Sequence, residues 1–322
     1  MQNAIISLGA LGLIFGLILA IASYIFKVDT DERVEKILEI LPGANCGGCG
    51  YPGCSGYAAA IVTDGISVNK CAPGGADVSS KIAEIMGVKA DKSEKMVAIV
   101  KCRGDNTVTL TKHEYIGVKD CVAAAITQGG DKGCSFGCLG LGTCVSVCAF
   151  DAIKIENGIA VIIPEKCTSC GKCVEACPRN IIEIVPFNKK VHVTCRSTDK
   201  GAMVKKVCEI GCIGCKICEK VCPVDAIHVE NNLASIDYDK CIQCMLCVEK
   251  CPVNIIKGEP KEKKVAVIGN TCIGCTICKK NCPIDAINGE LKQKHEVDTE
   301  KCIGCGICVD KCPKKAIELV KP

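Results

Sequence analysis

The residues of this chain that are best suited to chemistry are its cysteines, which number 32 in 322 residues. Five runs share the spacing Cys-x2-Cys-x2-Cys-x3-Cys followed by Pro. Cysteines separated by two intervening residues are poorly placed to bridge each other, whereas thiolates at this spacing converge on one iron–sulfur cube. The runs therefore predict [4Fe–4S] ligation by Cys167, Cys170, Cys173, Cys177, Cys212, Cys215, Cys218, Cys222, Cys241, Cys244, Cys247, Cys251, Cys272, Cys275, Cys278, Cys282, Cys302, Cys305, Cys308 and Cys312.

A sixth run is irregular. Cys134, Cys138, Cys144 and Cys148 follow the spacing Cys-x3-Cys-x5-Cys-x3-Cys, and Ala149 stands where the other runs have Pro. The next segment, FDAIKIE, matches VDAIHVE and IDAINGE downstream, so the run belongs to the same repeat. These four cysteines are predicted ligands in an expanded loop that departs from the regular pattern.

The runs resemble those of bacterial ferredoxins that hold two [4Fe–4S] clusters. The gaps from 148 to 167, from 222 to 241 and from 282 to 302 are nearly equal and pair the six runs into three modules. The gap from 251 to 272 is only slightly longer and permits a rival pairing. Short apolar stretches at 97–100, 191–193 and 265–267 precede the modules and favour the first pairing.

The ferredoxin resemblance also implies crossed ligation, because the fourth cysteine of each run ligates the cluster of the other run. A chain with five Phe, five Tyr and no Trp cannot build thick cores, so we expect cluster binding to supply folding free energy. The implied sets are Cys177 with Cys134, Cys138 and Cys144; Cys148 with Cys167, Cys170 and Cys173; and the same crossing of Cys222 with Cys251 and of Cys282 with Cys312.

A separate motif lies ahead of the runs. Cys46, Cys49, Cys54 and Cys71 lie in the segments PGANCGGCGYPGCSGYAAAI and NKCAPGG. The glycines among them let the backbone wrap closely around a cube and direct N–H groups at its sulfurs. The motif predicts a self-contained [4Fe–4S] site.

Four cysteines lie outside every run: Cys102, Cys121, Cys195 and Cys208. Cys102 and Cys195 each follow an apolar stretch and precede Arg, and each is followed further along by a second cysteine, Cys121 or Cys208. One pair from each of the first two modules would supply four ligands for a cluster between those modules. The alternative is that all four are reduced thiols that pack as small hydrophobes. The sequence predicts seven [4Fe–4S] clusters, with this eighth as a hypothesis.

The first element that positions these sites is an uncharged stretch at residues 4–26. At 1.5 Å per residue it is long enough to cross a bilayer core of about 30 Å. A buried helix and a cleaved signal peptide are the alternatives, but the first three residues lack the basic charges of a signal peptide. We expect a single-pass anchor in the cell membrane, with the iron–sulfur body on the cytoplasmic side, where thiols are kept reduced.

The expected fold class is α+β. It comprises one transmembrane helix, a small 4Fe–4S domain and three tandem two-[4Fe–4S] ferredoxin-like modules. The predicted boundaries are an anchor at 1–27, a single-cluster domain at 28–94, and modules at 95–188, 189–260 and 261–322. The formal net charge is +4, but each cube with four thiolates adds about −2. Seven clusters therefore leave a net charge of about −10, which disfavours nucleic-acid binding.

Together, the uncharged N-terminal stretch, the CGGCGYPGC and CAPGG motifs and the ferredoxin runs resemble the B subunit of the Rnf complex, an ion-pumping ferredoxin:NAD oxidoreductase of anaerobes. The resemblance covers the whole chain, although shorter members carry one ferredoxin module where this chain has three. It implies a translocase subunit that takes electrons from soluble ferredoxin. The implied partners are membrane lipid and membrane subunits that bind flavin and NAD and move Na⁺ or H⁺.

Other functions have less support. The chain lacks a P-loop, a paired-His metalloprotease motif and a nucleophile elbow, so no catalytic residue is predicted. The motif at 46–71 also resembles that of corrinoid iron–sulfur proteins, but no length remains for a corrinoid-binding barrel. A redox sensor needs one or two clusters, and a polyferredoxin subunit of another membrane redox complex is the remaining alternative.

Overall fold

A computed structural model describes residues 2–25, 31–89, 94–258 and 264–321, with side chains described from residue 9 to 22 within the first helix. The chain divides into two compact units, Met1–Lys92 and Ser93–Pro322. They are called the N-terminal and C-terminal units below. The finer predicted boundaries at 95–188, 189–260 and 261–322 stay a prediction.

The N-terminal unit is helical. Its helices are α1 (Gln2–Ile25), α2 (Glu32–Ile40), α3 (Gly53–Asp64) and α4 (Gly75–Met86). Helix α2 begins at Asp31, whose carboxylate accepts a hydrogen bond from the Arg33 amide at 2.9 Å, as an N-cap does. Helices α2, α3 and α4 pack together through Ile37, Tyr57 and Ile82, which are among the fully buried side chains of the chain. This core holds the segment that carries the first four cysteines.

The predicted transmembrane anchor is wrong for the residues that the structure describes. Among them, no helix is long and apolar enough to cross a membrane. The expected anchor covers residues 4–26 and was inferred from the absence of charge in that stretch, which does not by itself establish a membrane-spanning helix.

Tyr57 ties the N-terminal core to the segment before Cys71. Its hydroxyl donates to the Ser67 carbonyl at 3.0 Å and accepts from the Lys70 amide at 3.1 Å. Burial raises the pKa of Tyr57 to about 12, so the hydroxyl stays protonated and able to donate. The Tyr57 hydroxyl therefore holds both ends of the segment from Ser67 to Lys70.

Replacing Tyr57 with Phe is expected to destabilise the N-terminal unit by about 1–3 kcal/mol, because both backbone partners lose their hydrogen bond. The measurement is the urea concentration at which the first site releases iron, followed anaerobically. The matched control is Tyr51→Phe, which makes the same change on the neighbouring ring, 5.8 Å away. Equal midpoints for the two variants would contradict the role of Tyr57.

The C-terminal unit contains short strands and short helices. Its strands are β1 (Met96–Val100), β2 (Ile153–Glu156), β3 (Ile159–Ile162), β4 (Ile182–Pro186), β5 (His192–Val193), β6 (Ile227–Glu230), β7 (Leu233–Ile236), β8 (Ile256–Lys257), β9 (Val265–Ile268), β10 (Ile287–Asn288), β11 (Glu296–Val297) and β12 (Ile317–Val320). Its helices are α5 (Cys121–Thr127), α6 (Thr143–Ser146), α7 (Lys172–Ala176), α8 (Gly201–Val207), α9 (Ile217–Lys220), α10 (Leu246–Glu249), α11 (Ile277–Lys280) and α12 (Ile307–Lys311).

The strands form two-stranded antiparallel sheets of two kinds. Three hairpins join neighbours in sequence: β2 with β3, β6 with β7, and β10 with β11. Three pairs close longer segments: β1 with β4, β5 with β8, and β9 with β12. The apolar stretches noted in the sequence overlap β1, β5 and β9, so each begins a segment that its partner strand ends.

The interior of the C-terminal unit is built from aliphatic side chains and thiols together. One buried cluster includes Val191, Ile227 and Ile256 beside Cys212, Cys218 and Cys251. A second includes Val265, Ile287 and Ile317 beside Cys278, Cys302 and Cys308. The apolar face of each small sheet is therefore covered by cysteine-bearing loops, which is how such short strands position the thiols.

Candidate metal centres

The first candidate centre lies within the N-terminal unit. Cys54 lies in the first turn of α3, and its amide donates to the Asn45 side-chain oxygen at 2.8 Å. The residue before Cys54, Gly53, has φ +83°. A Cβ at this position would lie 2.8 Å from the same Asn45 oxygen, so a larger residue does not fit there. Burial raises the pKa of Cys71, and the nearby thiols of Cys54, Cys46 and Cys49 raise it further. The four thiols therefore lie near one another, and three of them pack in one cluster.

Four cavities in the described part of the C-terminal unit are each lined by four cysteines. Three come from one run and the fourth comes from the partner run. The empty space in each is about 340–350 Å³. The sets are Cys148 with Cys167, Cys170 and Cys173; Cys222 with Cys241, Cys244 and Cys247; Cys312 with Cys272, Cys275 and Cys278; and Cys282 with Cys302, Cys305 and Cys308.

The thiol of Cys251 joins the run before it in the same crossed manner. Burial raises the pKa of Cys218 to about 11, and the thiols of Cys212, Cys215 and Cys251 act on it in the same direction. Cys212, Cys218 and Cys251 are also buried in one cluster. The second and third pairs of runs thus each present two sets of four thiols.

A repeated turn directs backbone N–H groups at sulfur. Three residues after the fourth cysteine of each of the six runs, φ is positive, between 48° and 51°, at Asp151, Asn180, Asp225, Asn254, Asp285 and Lys315. In three of these turns the next residue, an alanine, donates its amide to the cysteine sulfur. The bonds are Ala226 to Cys222 at 3.2 Å, Ala286 to Cys282 at 3.3 Å and Ala316 to Cys312 at 3.3 Å.

Lys315 is the exception in this turn, since the other five positions are Asn or Asp, which tolerate the left-handed region better. Lys315→Asn is expected to raise stability by about 0.5–1 kcal/mol, because the left-handed strain falls. The measurement is the urea midpoint of iron release from the holoprotein. Lys314→Asn makes the same chemical change at the preceding exposed residue, and an equal gain there would contradict the backbone explanation.

The donor set fits a [4Fe–4S] cluster better than a single ion. Within the described residues, no group of three or more His, Cys, Asp or Glu side chains is placed to hold one metal ion. A cube takes one thiolate on each of four irons, so its ligands stand around a larger object. Four thiols per cavity, largely apolar walls and N–H groups on sulfur are what such a cluster requires.

The structure does not group the cysteines of the irregular run and the four extra cysteines as their spacing in the sequence suggests. One cavity is lined by Cys102, Cys134, Cys195 and Cys208, with about 410 Å³ of empty space out to its mouth. Cys121 lies instead at the start of α5, where its amide donates to the Thr143 hydroxyl at 2.7 Å. The structure thus brings three of the extra cysteines together, but with Cys134 as the fourth.

Sequence reasoning missed two polar residues, one that lines this cavity and one that is bonded to its wall. Thr109 lines it and is 7% exposed, and Lys132 is 3% exposed with its ammonium donating to the Gly104 carbonyl at 2.8 Å. Neither lies in a motif. Their positions follow from contacts between distant segments, so no local signal could have found them.

Comparison with known proteins agrees with this geometry. An Fe-S cluster family matches residues 41–73, a 4Fe-4S binding domain matches 160–183, and 4Fe-4S dicluster domains match 211–256, 234–288 and 266–319. The B subunit of the Na⁺-translocating ferredoxin:NAD⁺ oxidoreductase complex of Acetobacterium woodii is 51% identical over 245 residues, 74% of each chain. The chain belongs to the family of Rnf complex B subunits.

Two further relatives support the same family. The B subunit of the ion-translocating oxidoreductase complex of Methanosarcina acetivorans is 46% identical, over 74% of this chain and 90% of the relative. The B subunit of the proton-translocating ferredoxin:NAD⁺ oxidoreductase complex of Clostridium ljungdahlii is 44% identical, over 70% of this chain and 81% of the relative. This chain is therefore an iron–sulfur component of an ion-translocating redox complex.

Proposed function

We propose that this chain is the electron-input subunit of an ion-translocating ferredoxin:NAD oxidoreductase. It accepts electrons from reduced soluble ferredoxin and passes them to subunits that bind flavin and NAD and move Na⁺ or H⁺. The observation that carries the proposal is the series of four-thiol cavities along the C-terminal unit. A single cluster would suffice for sensing, whereas a series of them serves transport.

A [4Fe–4S] cluster, when bound, takes up and gives up single electrons at low potential. The residues of the chain hold it and adjust its properties. Amides such as those of Ala226 and Ala286 donate to ligand sulfurs, which stabilises added negative charge. Side chains such as Ile227 and Ile287 are buried against the thiols and exclude water. Seven such sites, in the single-cluster domain and three modules, form the proposed relay.

We assign the first acceptor of electrons to the third module, which is farthest along the chain from the N-terminal unit. Ile273 is 53% exposed and lines the cavity of Cys272, Cys275, Cys278 and Cys312, so this site lies close to the surface. Exposed apolar side chains beside a redox site suit a transient partner such as ferredoxin. The body faces the cytoplasm in this proposal, where ferredoxin and reduced thiols are found.

The test is isolation of the chain, with its natural partners, from anaerobically prepared membranes. We expect it to copurify with flavin-bearing subunits and to support NAD reduction that depends on added reduced ferredoxin. Antibody depletion of the chain should remove that activity from the preparation. Recovery of the chain alone, with clusters that ferredoxin does not reduce, would overturn the proposal.

A further inference from the structure

The cavity lined by Cys102, Cys134, Cys195 and Cys208 has the features of the cluster cavities described above and is called the bridging cavity here. We propose that these four cysteines bind an eighth [4Fe–4S] cluster between the first two ferredoxin-like modules, and that Cys121 takes the place of Cys134 beside Cys138, Cys144 and Cys177. The space of about 410 Å³ is comparable with the 340–350 Å³ of the cluster cavities.

The walls of the bridging cavity are held by backbone contacts across a long sequence separation. Thr109 and Cys208 form an antiparallel bridge. On either side of it, the Leu110 amide donates to the Val207 carbonyl and the Glu209 amide donates to the Val108 carbonyl, both at 3.0 Å. Two segments that lie far apart in sequence are thereby joined, which keeps their thiols in one place without a disulfide.

An unpartnered hydroxyl points to an absent acceptor in this cavity. Thr109 is 7% exposed and lines the cavity, yet among the described residues its hydroxyl has no hydrogen-bond partner. A buried hydroxyl without a partner is costly, and a cluster sulfur would accept a hydrogen bond from it. The orphan hydroxyl distinguishes this site from a cluster of packed thiols, which would leave it unsatisfied.

Glycines leave room beside the sulfurs. A Cβ on Gly104 would lie 3.6 Å from the Cys208 sulfur and 3.7 Å from the Cys102 sulfur. On Gly137 it would lie 3.7 Å from the Cys134 sulfur, and on Gly211 it would lie 3.7 Å from the Cys208 sulfur. The backbone therefore approaches the thiols closely from three directions, as it does around other cubes.

Cationic side chains lie at or beside the bridging cavity. Lys132, which is almost fully buried, donates to the carbonyl of Gly104, a lining residue, at 2.8 Å and to that of Gly158 at 2.7 Å. Arg103 and Arg196, each directly after a cavity cysteine, line the cavity, and Arg196 also pairs with Glu183 at 2.6 Å. Neutral thiols need no counter-charge, whereas a cube with four thiolates carries about −2 and is stabilised by nearby cations.

In this proposal Cys121 is the fourth ligand of the site formed by Cys138, Cys144 and Cys177, because Cys134 lines the bridging cavity instead. The carboxylate of Asp120 caps α5 and accepts from the Thr143 hydroxyl at 2.7 Å, which in turn accepts from the Cys121 amide at 2.7 Å. This holds Cys121 beside Cys144. Thr143 directly precedes Cys144 on α6, and Cys138 and Cys177 pack in the same buried cluster as Cys144. The first module thus keeps two sets of four ligands.

The bridging site contacts both neighbouring sites directly. The Cys138 amide donates to the Cys102 sulfur at 3.3 Å, and the Cys212 amide donates to the Cys195 sulfur at 3.4 Å. Cys138 belongs to a site of the first module and Cys212 to a site of the second. An electron passing between these modules would cross the bridging site. That role rests on the function proposed above, whereas the site itself is independent of any partner.

Iron content of the wild-type holoprotein tests the site without any variant. Eight clusters give about 32 iron atoms per chain, and seven give about 28. A double variant, Cys195→Ala with Cys208→Ala, removes two ligands and is expected to lower the content to about 28. A wild-type content near 28 that the double variant leaves unchanged would overturn the proposal, whatever the chain does with ferredoxin.

The exchange of Cys121 and Cys134 is tested in the background of that double variant. Adding Cys134→Ala is expected to change nothing further, since its cluster is already absent. Adding Cys121→Ala is expected to remove a second cluster, to about 24 iron atoms, or to leave a three-iron remnant visible by EPR of the oxidised protein. The reverse pattern would overturn the assignment of both cysteines.

The variant Thr109→Val tests the contact through a cluster potential, which a purely structural role of Thr109 would not change. The variant keeps the shape of the side chain and removes the hydroxyl donor. We expect unchanged iron content and a lower midpoint potential for one cluster in an EPR redox titration, with the others unshifted. Thr107→Val is the matched control at an exposed position. Unshifted potentials in Thr109→Val would overturn the contact between this hydroxyl and a cluster.

Discussion

Removing iron from the holoprotein is expected to unfold the C-terminal unit. In its described residues the strands are two to five residues long and form two-stranded sheets, which is too little for independent stability. Its buried clusters interleave aliphatic side chains with thiols that lose their common anchor when iron leaves. Cluster binding therefore supplies much of the folding free energy.

The measurement is limited trypsin digestion and far-ultraviolet circular dichroism before and after oxidative iron removal under chelator. We expect strand signal to disappear and lysines throughout residues 94–321 to become cleavable. Chelator without oxidant, which leaves the clusters in place, is the control. An iron-free protein with the digestion pattern of the holoprotein would show that side-chain packing alone holds the fold.

Truncation after Pro260 is expected to lower the rate of electron transfer from reduced ferredoxin at least tenfold. The change removes β9 to β12 and the cavities of the third module, which contain the proposed first acceptor. Iron content should fall by about eight atoms, because two clusters leave. Segment 189–258 closes through β5 and β8 by itself, so the remaining sites are expected to stay loaded.

Stopped-flow reduction by ferredoxin measures this effect, and dithionite is the control reductant. Dithionite should still reduce the clusters that remain, which separates a lost docking site from a damaged relay. A second variant, Ile273→Glu, retains the four cysteines of that cavity and adds a charge at its exposed apolar rim, and its iron content is measured beside its rate of reduction by ferredoxin. Full-rate ferredoxin oxidation by the truncated chain would place the first acceptor elsewhere.

In the regular runs at 167, 241, 272 and 302, the spacing was sufficient to predict which three thiols line one cavity, because ligands three residues apart are positioned by local backbone. Which run supplies the fourth cysteine of each cavity depends on the tertiary structure. Dicluster domains match 211–256, 234–288 and 266–319, so the repeated pattern fits both pairings of neighbouring runs. The cavities choose one pairing, since Cys222 lies with the run at 241–247 and Cys312 with the run at 272–278.

Hydropathy was a poor guide at the N-terminus. The absence of charge over residues 4–26 predicted a membrane anchor, and the described helices contain none that is long and apolar enough. The absence of charge in a segment is a weaker criterion for a membrane span than the combined length and apolar character of a helix. The structure therefore confirms a helix in this segment but not a membrane anchor.

By itself the sequence determined the chemistry of this protein: iron–sulfur ligation, its repetition and the family to which the chain belongs. Only the tertiary structure placed Cys134 in one cavity with Cys102, Cys195 and Cys208 and left Cys121 beside Thr143. Helix α5 and the loop after it separate these cysteines, and spacing cannot tell on which side of a helix each thiol emerges. The bridge between Thr109 and Cys208 decides it, because it brings together segments that no local pattern connects.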